Sequence, residues 1–149
     1  MNKNDQKQVH VSHTYNVSSE TVFDAWVKPE IVSKWLFVGP TSEIVKAEID
    51  STVDGFFSIL ELEKTNGVYI DHYGKYLEIE RPKKLVFTLS VPKHFPGETC
   101  VNIQIETTVN GCVLTFMQTG VSPAIVEKNW KDMLQQLDVV LTEMQAQSS

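Results

Sequence analysis

The fold is decided by the last long segment of the chain, residues 122–144, which read SPAIVEKNWKDMLQQLDVVLTEM. Its apolar residues recur three and four positions apart, which places them on one face of an α-helix. Ser122 can cap this helix and Pro123 suits its first position. The apolar face consists of Val126, Trp130, Met133, Leu134, Leu137, Leu141 and Met144. A single helix of this kind must bury that face against the rest of the chain.

The segment that precedes the helix alternates apolar and polar residues, which is typical of β-strands. The alternation predicts a first strand at residues 9–15. Two short helices follow, one beginning near Ser18 or Ser19 and one at Pro29, the second ending at Gly39–Pro40. Six more strands are predicted at 45–49, 56–64, 68–80, 84–91, 99–109 and 112–119. Short connections between them favour antiparallel pairing, so the order β-α-α-β6-α predicts an α+β fold with a sheet of about seven strands.

Length and charge limit the organisation and the partners of the chain. Its 149 residues suit one domain, predicted at 8–146, with residues 1–7 as a disordered tail. The formal charge of −6 opposes binding to nucleic acid and to anionic lipid. No apolar run approaches the roughly 20 residues of a membrane helix, and the first ten residues lack a signal-peptide core. We therefore predict a cytoplasmic protein without nucleic-acid partners or membrane insertion.

The last predicted hairpin indicates which sheet face is buried. If Asn110–Gly111 is a two-residue turn, Ile105 pairs with Phe116 and Ile103 with Gln118. This apolar face, which also carries Leu114, predicts the interior. Gln118 is polar there and needs partners. It is either a hydrogen-bonding group in a cavity or, in our preferred interpretation, a strand-end residue bonded to loop backbone or water.

The hairpin around Asn66–Gly67 carries the candidate catalytic residues. A two-residue turn pairs Glu61 with His72, with Tyr76 further along the same face. A carboxylate beside an imidazole could serve acid–base chemistry in a cavity. Both faces of this hairpin mix apolar and polar residues, so the pattern does not say which face is inside. Such cross-strand pairs are more often solvated, and we interpret this pair as a surface contact.

Other signals of chemistry are absent from the sequence. His10, His13 and His94 lack metal-ligand spacing, and we interpret them as surface or partly packed side chains. There is no glycine-rich phosphate loop, no GxSxG and no HExxH, so neither a metal nor a cofactor is predicted. Trp35 and the tryptophans at 26 and 130 lie on helix stripes, where core packing is the first interpretation and pocket lining the second.

Several segments together resemble the START-like helix-grip (SRPBCC) superfamily. They are WVKPEIVSKW (26–35), DHYGKYLEIERPKKLVFTL (71–89), NGCVLTFMQTGV (110–121) and EKNWKDMLQQL (127–137). Within that superfamily the chain is similar to bacterial proteins grouped with the C-terminal domain of the activator of heat shock protein 90 ATPase. The resemblance covers about residues 8–144. It implies a curved antiparallel sheet that grips the long C-terminal helix around an apolar cavity.

The superfamily includes carriers of lipids and other hydrophobic ligands, polyketide cyclases and aromatases, and the co-chaperone domain, so the fold does not choose the function. This chain departs from many relatives at Gln118, where they carry histidine, and at Asn129, where they carry glycine. A glutamine cannot titrate, which weakens proton transfer at that position and leaves recognition intact.

Our leading hypothesis is the binding of a small hydrophobic or aromatic molecule, lipid-like or polyketide-like, beneath the final helix. The ligand would contact a set of mostly apolar side chains, be oriented by Gln118 and be covered by Phe95. The set is Trp35, Ile103, Ile105, Leu114, Phe116, Trp130 and Leu134. The first alternative is a cavity enzyme of cyclase, aromatase or hydrolase type that uses Glu61, His72 and Tyr76. The second is a chaperone partner, which needs an exposed apolar patch that the sequence does not reveal.

Overall fold

A computed structural model describes residues 8–94, 97–121 and 123–148. In the described residues, seven antiparallel strands form one curved sheet in the order β1-β7-β6-β5-β4-β3-β2, and three helices accompany it. The strands are β1 (Gln8–Tyr15), β2 (Ser42–Ile49), β3 (Phe56–Glu63), β4 (Val68–Glu80), β5 (Lys84–Ser90), β6 (Glu98–Thr107) and β7 (Cys112–Thr119). The helices are α1 (Ser19–Val27), α2 (Pro29–Trp35) and α3 (Pro123–Ser148). The predicted α+β helix-grip fold is confirmed.

Local chemistry explains where the helices begin. The Ser18 hydroxyl accepts a hydrogen bond of 3.2 Å from the Thr21 amide, so Ser18 is the cap of α1. Pro29 occupies the first turn of α2, where its missing N–H is not needed. The capping role predicted for Ser122 and the tail predicted at residues 1–7 lie outside the described residues. Among the described residues, no helix is both long and apolar enough to cross a membrane.

Both hairpins differ from the predicted register by two residues. Ile103 faces Phe116 and Val101 faces Gln118, with a connection at residues 108–111. In the other hairpin Glu61 faces Ile70, and His72 faces Ile59. The predicted two-residue turns were therefore wrong, because each connection has four residues. A shift of two residues preserves the face to which each side chain points, so the predicted buried face of β6 and β7 is correct.

The core lies between the inner face of the sheet and the helices. The α3 helix lies against β1 and α2 and buries Trp130, Leu134, Leu137 and Leu141. Val126, Met133 and Met144 pack against this core, so the predicted apolar face is correct. The inner sheet face is lined with buried residues from β3 to β7. The polar side chains of Glu61, His72, Thr99 and Gln118 are buried in this core.

Candidate ligand site under the C-terminal helix

A buried chain of hydrogen bonds joins α3 to the sheet through Gln118. The Trp130 indole N–H donates to Gln118 Oε1 over 3.0 Å, and Gln118 Nε2 donates to the Thr99 hydroxyl over 2.9 Å. Thr99 in turn donates to the Leu89 carbonyl over 2.9 Å. Our preferred interpretation of Gln118 was wrong, because its partners are the side chains of Trp130 and Thr99 rather than loop backbone. Gln118 retains one amide hydrogen and one lone pair for a further partner.

The side chains predicted to line a cavity pack against one another. All are at most 5% exposed, and the rings of Phe116 and Trp130 lie 4.1 Å apart. Trp26 lies 6.0 Å from Trp130 and 4.7 Å from Trp35. The side chains predicted to line the cavity are Trp35, Ile103, Ile105, Leu114, Phe116, Trp130 and Leu134. Core packing of the tryptophans is confirmed, whereas an open cavity among them is not. Phe95, the predicted cover, lies outside the described residues.

We call Trp26, Trp35, Phe116 and Trp130 the aromatic cluster. One of its three indoles has an unsatisfied hydrogen-bond donor. Trp35 Nε1 donates to the Ala25 carbonyl over 2.9 Å, and Trp130 Nε1 donates to Gln118. Trp26 Nε1 is buried and has no hydrogen-bond partner among the described residues. Leaving a buried donor unpaired costs roughly 1–3 kcal/mol. The interior therefore holds a hydrogen-bond donor that an acceptor on a small molecule can satisfy.

Glu61 and His72 lie inside the molecule, and their assignment to the surface was wrong. Glu61 is 9% exposed and His72 is 4% exposed. They are diagonal neighbours on the inner face rather than a directly opposed pair, and His72 Nε2 lies 2.9 Å from Glu61 Oε1. His72 Nδ1 is buried without a partner among the described residues. The pattern could not reveal this, because the outer face of the same hairpin is equally mixed.

Burial and hydrogen bonds set the charges of this pair. Burial lowers the pKa of His72 more than the nearby Glu61 carboxylate raises it. Burial raises the pKa of Glu61, but hydrogen bonds from His72 and Ser42 and the charges of His72 and His94 outweigh it, so the pKa is lowered. The favoured state is an ionised Glu61 beside a neutral His72. A neutral imidazole that donates through Nε2 carries a lone pair on Nδ1.

Phe37 covers this pair, and the sequence pattern does not single it out. Its ring stacks on the His72 ring at 3.9 Å with an angle of 8°, and it meets Trp130 edge-on at 5.8 Å. The α2 helix ends at Trp35, earlier than Gly39–Pro40, so Phe37 follows its C-cap. Phe37 has φ of 64°, in the left-handed region where glycine is usual. It connects the His72 pair to the aromatic cluster.

The remaining candidate residues lie elsewhere or are fully packed. Tyr76 is 2% exposed, and its pKa is raised by burial and by the charge of Asp50. The Tyr76 ring contacts the rings of Phe57 and Phe87. Among the described residues, no ring contact joins Tyr76 to His72. His10 and His94 are exposed, and His13 lies 2.9 Å from Asp138. No three potential metal ligands cluster within the described part of the chain.

Two further features are a surface pocket and a group of exposed side chains on the outer sheet face. A pocket of about 260 Å³ lies between the end of β1 and the C-terminal half of α3, where Tyr15, Asp138 and Leu141 line it. It is separate from the aromatic cluster. On the outer sheet face, Phe56 is 70% exposed and Tyr69 is 54% exposed, beside the exposed Tyr73 and Leu77. These four exposed side chains share the outer face, and Asp71 and Lys75 lie between them on that face.

Comparison with known proteins identifies the family. The family model described as Activator of Hsp90 ATPase homolog 1-like protein matches residues 16–142. No protein of curated function matches the chain in sequence. The chain is similar in structure to protein CV1439 from Chromobacterium violaceum, with 24% identity, a TM-score of 0.80 and coverage of 90% of this chain and 96% of that one. It is also similar to the AHSA1-like protein from Aeromonas hydrophila, with 16% identity, a TM-score of 0.79 and coverage of 92% and 93%. These likenesses support the fold, and the family match shows that the chain belongs to the Activator of Hsp90 ATPase homolog 1-like family.

Proposed function

We propose that this protein binds a small aromatic or other hydrophobic molecule between the inner sheet face and α3. The observation that carries the proposal is the buried, unpaired indole N–H of Trp26, whose ring lies against the rings of Trp35, Phe116 and Trp130. Buried polar groups in native proteins are nearly always paired. A ligand with an aromatic body and a carbonyl or ether oxygen supplies both the ring contacts and the missing acceptor.

The surroundings suit recognition of such a molecule. Ligand sites are mostly apolar and carry a few placed polar groups. Gln118 offers its remaining amide hydrogen and lone pair at the end of Trp130, and Ile103, Leu114 and Leu134 supply apolar contact. The ionised Glu61 on the inner face and the net charge of −6 disfavour anionic ligands. Because the rings are already in contact, entry of the ligand requires side chains of the cluster to move apart.

The test compares two ligands that differ in the acceptor. We expect 2-acetylnaphthalene to bind about tenfold more tightly than 2-ethylnaphthalene, since one net hydrogen bond corresponds to about that factor. The Trp26→Phe variant should lose the difference. Trp35→Phe is the matched control, because its indole N–H already has a partner. Calorimetric titration measures each affinity. Absence of binding by both compounds, together with no thermal shift across lipids, flavonoids and polyketides, would contradict the proposal.

A second candidate function is binding to a chaperone of the Hsp90 type, favoured by the exposed outer face and by the family description. Exposed aromatic side chains on one face are frequent at interaction sites, and Tyr69 and Tyr73 share the outer face of β4. The measurement is the ATPase rate of the host's Hsp90-type chaperone with and without this protein. A change in rate that Tyr69→Ser/Tyr73→Ser abolishes would support this function, and an unchanged rate would count against it.

A further inference from the structure

We propose that Ser42, Glu61 and His72 form an acceptor site for a hydroxyl group of the ligand, and that the ligand ring displaces the Phe37 ring from the face of His72. This acceptor site rests on the proposed function and adds to it a class of ligand. That class is uncharged aromatic molecules with a free hydroxyl group. The site lies on the same aromatic cluster as Trp26, since Phe37 contacts both His72 and Trp130.

A chain of hydrogen bonds fixes which imidazole nitrogen carries the proton. The Gly39 amide donates to the Ser42 oxygen over 2.8 Å, and the Ser42 hydroxyl helps to lower the pKa of the Glu61 carboxyl. An ionised carboxylate can only accept, so the 2.9 Å contact with His72 requires the proton on Nε2. Nδ1 is then an acceptor. These contacts hold the imidazole in one tautomer and one orientation. At functional sites, too, the hydrogen bond at one ring nitrogen of a histidine sets the protonation of the other.

The acceptor has no partner among the residues that the structure describes. His72 is more than nine-tenths buried, and its Nδ1 is one of two buried side-chain atoms without a hydrogen bond in the described residues. Charged groups near the ring do not fill this role: Glu61 bonds Nε2, Asp71 accepts from Ser58, and the His94 ring centre lies 6.4 Å away. A hydroxyl donor from outside the chain would complete the set of hydrogen bonds.

Phe37 covers one face of the His72 ring under unfavourable backbone geometry. Its φ of 64° lies where a side chain is strained and glycine is not. Its ring is only half-buried, stacked on His72 and edge-on to Trp130. An aromatic ring held there at a conformational cost is a stand-in for a ligand ring. Displacing it opens the face of the imidazole and the edge of the indole to an aromatic molecule, whose hydroxyl must extend past the rim of the imidazole to donate to Nδ1 in the ring plane.

The ligand class follows from charge as well as shape. Glu61 is ionised and sits directly behind His72, while Asp71 is next to it in the chain. An acidic ligand group would be repelled by this carboxylate, and a neutral hydroxyl would not. A methyl ether of the same shape offers no proton to Nδ1. The pair 1-naphthol and 1-methoxynaphthalene therefore separates hydroxyl recognition from ring binding.

The experiment measures the affinities of naphthalene, 1-naphthol and 1-methoxynaphthalene for the full chain by tryptophan fluorescence and calorimetry. We expect 1-naphthol to bind about tenfold more tightly than the ether. His72→Gln should abolish this preference, because its amide can still donate to Glu61 while the Nδ1 acceptor is gone. His94→Gln is the matched control and should retain it. Phe37→Gly should tighten binding of all three compounds about tenfold.

Failure of this inference is distinguishable from failure of the proposed function. If naphthalene binds and the preference for 1-naphthol is missing, or survives in His72→Gln, the acceptor site is wrong and ring binding stands. If no compound binds any variant, both fall. Nitrogen NMR of wild-type His72 gives a second measurement that does not depend on the variant folding. It should show an unprotonated Nδ1 whose resonance moves on addition of 1-naphthol but not of the ether, and a protonated Nδ1 would overturn the inference.

Discussion

Phe37 shows how one residue can carry a conformational cost for the sake of its ring. The C′ position after a helix favours glycine, because a left-handed backbone crowds any Cβ. At residue 37 the chain has phenylalanine, and its ring contacts His72 and Trp130. No sequence pattern predicts this, since the helix could equally have continued to Gly39–Pro40. The residue is recognised only when its φ and its ring contacts are known together.

Replacing Phe37 by glycine or by alanine separates the two effects. Both changes remove the ring, but only alanine retains a side chain in the left-handed backbone. We expect Phe37→Gly to be more stable than Phe37→Ala by about 1 kcal/mol. Urea unfolding of the two variants measures the difference. Equal stabilities, or a more stable alanine variant, would show that the backbone at residue 37 is not strained.

The buried His72 predicts a particular pH dependence of stability. Its pKa in the folded state lies below the usual 6.5, mainly because burial disfavours the charged form, with His94 acting in the same direction and Glu61 and Asp71 against it. A depressed pKa makes the contribution present above pH 6.5 and lost as the pH falls towards the folded value. Wild type should therefore lose more stability between about pH 6.5 and about pH 5 than His72→Gln. Parallel pH profiles from urea unfolding would contradict this.

Among the elements, α3 is held to the sheet by both apolar packing and buried hydrogen bonds. Its apolar face was predictable because helical spacing is a strong signal over many turns. The position of Gln118 on the inner face was predictable from strand alternation. Its partners were not, because Trp130, Thr99 and Leu89 come from three different elements that only the tertiary fold brings together.

The junction between α3 and β7 can be tested through Gln118. Gln118→Leu removes the partners of the Trp130 indole and the Thr99 hydroxyl and leaves both groups buried. We expect the free energy of unfolding to fall by roughly 2 kcal/mol. Thr119→Val, at the exposed neighbouring position, should change it by less than about 0.5 kcal/mol. A Gln118→Leu variant as stable as this control would mean that water replaces the lost bonds.

The two hairpins show why strand faces are easier to predict than turns. Asn–Gly was expected to form the whole turn, whereas it provides the last two residues of four-residue connections. Gly67 has φ of 72° and closes its loop by donating to the Glu63 carbonyl. Gly111 is needed because a Cβ at this position would collide with the Tyr15 carbonyl. The second reason involves β1, so no local pattern contains it.

At the scale of the whole molecule, the sheet separates two apolar surfaces with different roles. The inner surface packs with the helices, and the outer surface presents aromatic side chains to solvent. Phe56 and Phe57 are consecutive in β3 and illustrate the division, with exposures of 70% and 5%. The inner surface was predictable for β6 and β7, whose outer face is polar. It was not predictable for β3 and β4, where both faces carry apolar residues.

These adjacent phenylalanines provide a matched pair of variants. Phe57→Ala opens a cavity beside Tyr76 and Phe87, so we expect a loss of about 3–5 kcal/mol. Phe56→Ala should change stability by less than about 0.5 kcal/mol, because its ring is largely in solvent. Thermal or urea unfolding compares the two. Similar losses at both positions would contradict the assignment of the inner and outer faces.

The register shift in β2 affects how readily the protein associates with itself at high concentration. This strand forms one edge of the sheet, and Val45 has no opposite residue because pairing moves from Ile44–Glu61 to Lys46–Leu60. An unbroken edge would offer a second molecule a continuous row of free amides and carbonyls. The extra residue interrupts that row, and the charged side chains of Lys46 and Glu48, which pair with each other over 3.4 Å beside it, would lose hydration if a second strand docked there. A chain that lacked Val45 would keep its inner packing and become prone to aggregate edge to edge.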